Sequence, residues 1–139
     1  MPALVLLIDD DPEIRQLLRL ALHPLYRVVE ATDGHDGWAK VREHRPALVV
    51  TDLCMPGMNG LDLTDRIKCD NELSGTPVII LTGATAGEEL PPGFWKLGTR
   101  ADGFLEKPIE PSMLCAEIDR VLKNKVQFRP LPPGKGTYD

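Results

Sequence analysis

Apolar residues along the chain fall into two alternating kinds of segment. Continuous runs occur at residues 3–8 (ALVLLI), 47–51 (ALVVT) and Val78–Thr82 (VIILT). Each is short and built mostly from Leu and β-branched residues, the form of a strand buried on both faces. Weaker strands are predicted at residues 26–30 and Gly103–Glu106. Between the strands lie stretches with helical spacing. Ile14, Leu17, Leu18, Ala21 and Leu22 follow the stripe of an amphipathic helix, and Asp11 followed by Pro12 suits its N-cap and first turn. Trp38 and Val41 mark a second helix after Gly34, and Leu61, Thr64 and Ile67 share one face of a third. Leu114, Ile118, Val121 and Leu122 give the last, with Pro111 near its start. Strand and helix alternating about five times predict a parallel sheet with helices on both faces. This α/β domain is expected over residues 1–123. Residues 124–139 lack periodicity, carry three prolines, and read as a Pro-rich tail or linker stub.

Composition narrows the function classes. The chain has 139 residues, 42% of them hydrophobic, enough for a proper core. A net charge of −5 argues against binding nucleic acid through an overall field, and 5% aromatics argue against a base-stacking platform. The longest apolar run has six residues, far below the roughly 20 of a membrane span. Cys54, Cys69 and Cys115 are widely spaced and form no CxxC pair, which predicts a reduced, cytoplasmic chain. Proline is the unusual component, 13 residues where roughly 5% is typical.

In an open parallel sheet, sites form beyond the carboxyl ends of the strands. Asp9, Asp10 and Asp11 follow the first strand, Asp52 closes the third, Thr82 ends the fourth, and the fifth runs into Lys107-Pro108. Taken singly these have bland explanations: a helix cap, a satisfied hydroxyl, a solvated lysine. Asp52 is the exception, because a carboxylate ending a buried apolar run is costly without a partner. Carboxylates converging from separate strands call for a proton or a cation, and hard oxygen ligands in a half-open site suit Mg²⁺.

The segments LLIDDDPEIRQLL, ALVVTDLCMPGMNGLDL, VIILTGA and DGFLEKP, in this order, resemble the receiver domain of bacterial response regulators in two-component signalling. The resemblance covers about residues 3–123. It implies a flavodoxin-like, doubly wound, five-stranded parallel sheet of order 2-1-3-4-5. It also implies that Asp52 accepts a phosphoryl group from a phosphohistidine, with Asp9, Asp10, Asp52 and the backbone carbonyl of Cys54 holding Mg²⁺. Lys107 then pairs with the phosphoryl oxygens, ahead of a cis peptide to Pro108. Thr82 and Phe104 are the implied switch residues. Pro56 and Gly57 make a tight turn beside Asp52 that Asn59-Gly60 ends. The Cys54 thiol, two residues past the acceptor, is expected to be buried and inert.

One region departs from the family. Pro91, Pro92 and Gly93 break any helix between the fourth and fifth strands, so the family's fourth helix is expected to be irregular or shortened. Phosphorylation chemistry is expected to survive, while the output surface, with Phe94 and Trp95, is expected to differ. The expected partners are a sensor histidine kinase or phosphotransfer protein and a downstream protein, with no direct nucleic-acid or membrane contact. A homodimer is left open, and so is a longer protein with an output domain. The chain is expected to be a switch and not a turnover enzyme, with at most slow self-dephosphorylation. Two other readings compete. One is a receiver-like interaction module acting without phosphorylation, which a missing acceptor or lysine would have favoured. The other is a Mg²⁺-dependent phosphohydrolase, which usually needs a second acid where Cys54 stands.

Overall fold

The alternation of strand and helix is realised in a computed structural model, which describes residues 2–83 and 100–127. The strands are β1 (Leu4–Ile8), β2 (Arg27–Ala31), β3 (Leu48–Asp52), β4 (Val78–Thr82) and β5 (Gly103–Glu106). The helices are α1 (Pro12–Leu22), α2 (Gly34–His44), α3 (Gly60–Cys69) and α4 (Pro111–Gln127). All strand pairs are parallel, in the order β2-β1-β3-β4-β5. This is the flavodoxin-like arrangement, with β3 at its centre between β1 and β4.

Period-two alternation splits the core between the faces of the sheet. Leu6, Ile8, Val49, Val78 and Ile80 pack with Val41 of α2 and Leu63 and Ile67 of α3. Val5, Leu7, Val50, Ile79 and Leu81 point the other way, onto Leu18 and Leu22 of α1 and Leu114 and Ile118 of α4. Each of these side chains is fully buried, and burying one such side chain stabilises the fold by roughly 1.5–3 kcal/mol.

Local chemistry sets where the helices begin. Asp11 caps α1 by accepting the Glu13 N–H at 2.9 Å, with Pro12 in the first turn. Asp33 and Asn59 cap α2 and α3 in the same way, each through the N–H three residues on. The end of α2 breaks the usual preference for glycine: Arg45 takes up the left-handed conformation there, at φ 48°. Helix α4 continues to Gln127, so its last residues lie in the segment read as tail. The expected irregular or shortened fourth helix, with Pro91, Pro92, Phe94 and Trp95, lies outside the described residues, as do residues 128–139.

Candidate functional site

Parallel strands in register bring their carboxyl ends to one edge. Ile8 pairs with Thr51, Asp52 with Leu81, and Thr82 with Glu106, so Asp9, Asp52, Thr82 and Lys107 stand side by side. Asp9 is fully buried and Asp52 nearly so, while Asp10 is exposed at the rim. Oxygens from these three carboxylates lie within 4.8 Å of one another. Lys107 reaches into the group, its Nζ 2.9 Å from Asp52 Oδ1 and 3.6 Å from Asp9 Oδ2.

Electrostatics follow from this crowding. Burial pushes the Asp9 carboxyl up to about 6, and the Asp52 charge adds to the shift against the N–H of Asp11 and the Lys107 ammonium. Burial also raises Asp52, with the Lys107 hydrogen bond and charge pulling the other way. For Lys107, burial disfavours the charge, but the Asp52 hydrogen bond and the charges of Asp52 and Asp9 outweigh it and raise its pKa. Among the described residues, one lysine therefore faces three carboxylates. Asp9 Oδ1 accepts the Asp11 N–H at 2.9 Å, whereas Asp9 Oδ2 is buried with no hydrogen-bond partner among the described residues. A buried carboxylate oxygen in that state, in an all-oxygen group with one exposed member, fits a hard, partly hydrated divalent cation such as Mg²⁺.

The loop after β3 is held against the site. Gly60 approaches the Asp52 carbonyl so closely that a Cβ there would lie 2.5 Å from its oxygen. The Gly60 N–H donates to the Leu53 carbonyl at 2.8 Å, and Gly57 takes φ 77° in the turn. The Lys107–Pro108 peptide is cis, as the resemblance implied.

With this geometry in place, the relatives are informative. The sequence pattern of the response regulator receiver domain matches residues 5–119. The chain belongs to the response regulator receiver family. This receiver is 36% identical over 129 residues to response regulator GtcR of Aneurinibacillus migulanus, covering 92% of its own length and 51% of GtcR. It thus spans about half the length of that relative. Protein PilH of Pseudomonas aeruginosa is 35% identical over 121 residues, which cover 86% of the receiver and 98% of PilH. The chemotaxis response regulator CheY4 of Vibrio cholerae superposes with a TM-score of 0.77 at 28% identity, over 87% of the receiver and 99% of CheY4.

Asp9, Asp10, Asp52 and Lys107 are thus brought together in the receiver as the sequence predicts. Thr82 lies beside them, nearly buried, with its hydroxyl 3.4 Å from the Leu105 carbonyl. Phe104 is half-buried against the α2–α3 side of the core. Cys54 departs from expectation: it is exposed, not buried. Leu53 and Met55 on either side turn into the core, and the alternation leaves Cys54 outward. Arg15 was not singled out from sequence. It is a site neighbour, with Nη1 donating to the Asp9 carbonyl at 2.8 Å. On the polar stripe of a helix an arginine reads as a solvated charge, and the Glu30 that fixes it lies 15 residues away on a different element.

Proposed function

We propose that this receiver is a phosphorylation-dependent signalling switch whose acceptor is Asp52. A carboxylate oxygen of Asp52 attacks the phosphorus of a phosphohistidine on a partner sensor histidine kinase or phosphotransfer protein. The P–N bond breaks, the histidine nitrogen keeps the electron pair, and Asp52 becomes an acyl phosphate. The single observation that carries this reading is the Lys107–Asp52 contact at 2.9 Å beside the crowded Asp9 and Asp10. A carboxylate nucleophile approaching an anionic phosphoryl group needs charge neutralisation, and a lysine in contact supplies part of it. Asp9, Asp10, Asp52 and the Cys54 backbone carbonyl are the residues that would hold Mg²⁺, which supplies further neutralisation of the phosphoryl oxygens when bound.

Lys107 keeps its charge in this setting and stays available to the transferred group. Thr82 would exchange its long contact with the Leu105 carbonyl for a phosphoryl oxygen, and Phe104 would turn inward with it, changing the face presented to a downstream protein. The chain acts as a cytoplasmic switch and not as a turnover enzyme, with self-dephosphorylation at most slow. It makes no direct contact with nucleic acid in this scheme.

Intact-mass spectrometry after incubation with acetyl phosphate and Mg²⁺ tests the proposal. The native protein is expected to gain one phosphoryl group and Asp52→Asn none. No gain in the native protein, or equal gain in the variant, overturns the proposal and favours an interaction module that works without phosphorylation.

A further inference from the structure

We infer that Arg15 is a positioning residue for the acidic cluster, holding the Asp9 main chain so that three mutually repelling carboxylates stay convergent. The inference rests on reading that cluster as a cation site. Arg15 is largely covered, its side chain 16% exposed against 47% for Arg19 one turn further along α1. Its guanidinium makes two directed contacts: Nη1 to the Asp9 carbonyl at 2.8 Å and Nε to Glu30 Oε1 at 3.1 Å. Glu30 is held from the other side by Arg19, 3.1 Å from Oε2. The Asp9 N–H donates to the Ala31 carbonyl at 3.2 Å, one residue along β2 from Glu30. Asp9 is therefore gripped at both main-chain polar groups by β2 and α1. Its side chain is left with Oδ1 on the Asp11 N–H and Oδ2 directed at the cluster.

Like charges this close relieve their repulsion by moving apart, and Asp9, Asp10 and Asp11 form the short connection between β1 and α1. A fork of guanidinium donors bonded to both β2 and the turn opposes that motion, because Arg presents planar, fixed donors. Charge alone makes the opposite prediction. A fixed cation beside a cation site weakens binding, so its removal would tighten Mg²⁺. The two accounts therefore differ in sign.

The test measures Mg²⁺ affinity by isothermal titration calorimetry on the full chain and its Arg15→Gln and Arg19→Gln variants. Outer contacts of this kind typically change metal affinity 10–100-fold. Arg15→Gln is expected to bind Mg²⁺ at least about tenfold more weakly. Arg19→Gln, which removes the same charge from Glu30 without touching Asp9, should stay within about threefold of the native protein. Unchanged or tighter binding in Arg15→Gln overturns the inference, as does an equal loss in Arg19→Gln. Hydrogen exchange of the Asp11 amide in the metal-free protein reads the positioning by itself. It should lose protection in Arg15→Gln and keep it in Arg19→Gln, and equal protection in both overturns the inference. That outcome would leave Asp52 as acceptor intact, since Asp52 is tested separately by its phosphoryl mass.

Discussion

Replacing Asp9 by Asn should make the metal-free domain more stable at neutral pH, although it removes a buried polar group's native identity. The folded protein raises the Asp9 carboxyl from 3.8 to about 6. A folded pKa above the unfolded one means that the folded state holds the proton more tightly. The associated stability is complete below the unfolded value of 3.8 and is lost as pH rises through about 6. At about 1.4 kcal/mol per unit, the ionised carboxylate costs the folded state about 3 kcal/mol at pH 7.5. Asn keeps an oxygen to accept the Asp11 N–H and carries no charge, so most of that cost disappears. The attraction to Lys107 Nζ at 3.6 Å is already contained in that value, and what trims the gain is the Asn amide N–H pair left facing the Lys107 ammonium. The expected net effect is a stabilisation of about 2 kcal/mol, or about 1 M in urea midpoint for a typical slope near 2 kcal/mol per M. Urea unfolding in EDTA at pH 7.5 and at pH 4.5 measures it. The variant should lead clearly at pH 7.5 and much less at pH 4.5, the gap closing only as pH falls below the unfolded value of 3.8. A variant that is less stable at both pH values, or a gap independent of pH, refutes the assignment of buried repulsion to Asp9.

Mg²⁺ should raise the urea midpoint of the native protein at pH 7.5 while leaving Asp9→Asn nearly unmoved, because binding to the folded state alone stabilises by mass action. Lys107→Met should destabilise at neutral pH, by less than the roughly 3–5 kcal/mol of a fully buried pair because Lys107 is partly exposed, and the loss should shrink as pH falls, because burial raises both the Asp9 and the Asp52 carboxyl. Gly60→Ala should disturb the site, since its Cβ would sit 2.5 Å from the Asp52 carbonyl oxygen; weaker Mg²⁺ binding by calorimetry, despite alanine's helix advantage of about 1 kcal/mol, is the expected reading. A thiol-reactive dye on the native fold should label Cys54 and Cys69 before Cys115, which is half-buried and whose thiol burial pushes upward in pKa, and peptide mapping gives the order.

Much of the architecture is legible in the sequence because it is encoded locally. The runs that became β3 and β4 are buried throughout and apolar up to their carboxyl ends, where Thr51, Asp52 and Thr82 stand, and Asp11-Pro12 announces α1 by capping chemistry. The acceptor edge follows from the same information, since parallel strands of similar length deliver Asp9, Asp52, Thr82 and Lys107 to one side. Strand order is different: no residue pattern places β1 between β2 and β3, and it came from the family resemblance. Tertiary partners were also hidden. Arg15 looks solvated until β2 brings Glu30 to it, and Arg45 gives no sign that it ends α2 in a conformation usually left to glycine. Cys54, expected to be buried, is exposed, while Leu53 and Met55 on either side of it are buried. Strand-like alternation persists past the end of β3 and turns the thiol outward.

The central claim is that the phosphoryl group resides on Asp52, and its location can be read directly. Borohydride reduces an aspartyl phosphate to homoserine with loss of phosphate and leaves free carboxylates untouched. After treatment of the native protein with acetyl phosphate and Mg²⁺, then borohydride, tandem mass spectrometry should find homoserine at position 52. Peptides containing Asp9, Asp10 and Asp11 should remain unmodified. Homoserine at one of those positions, or at none, contradicts the account.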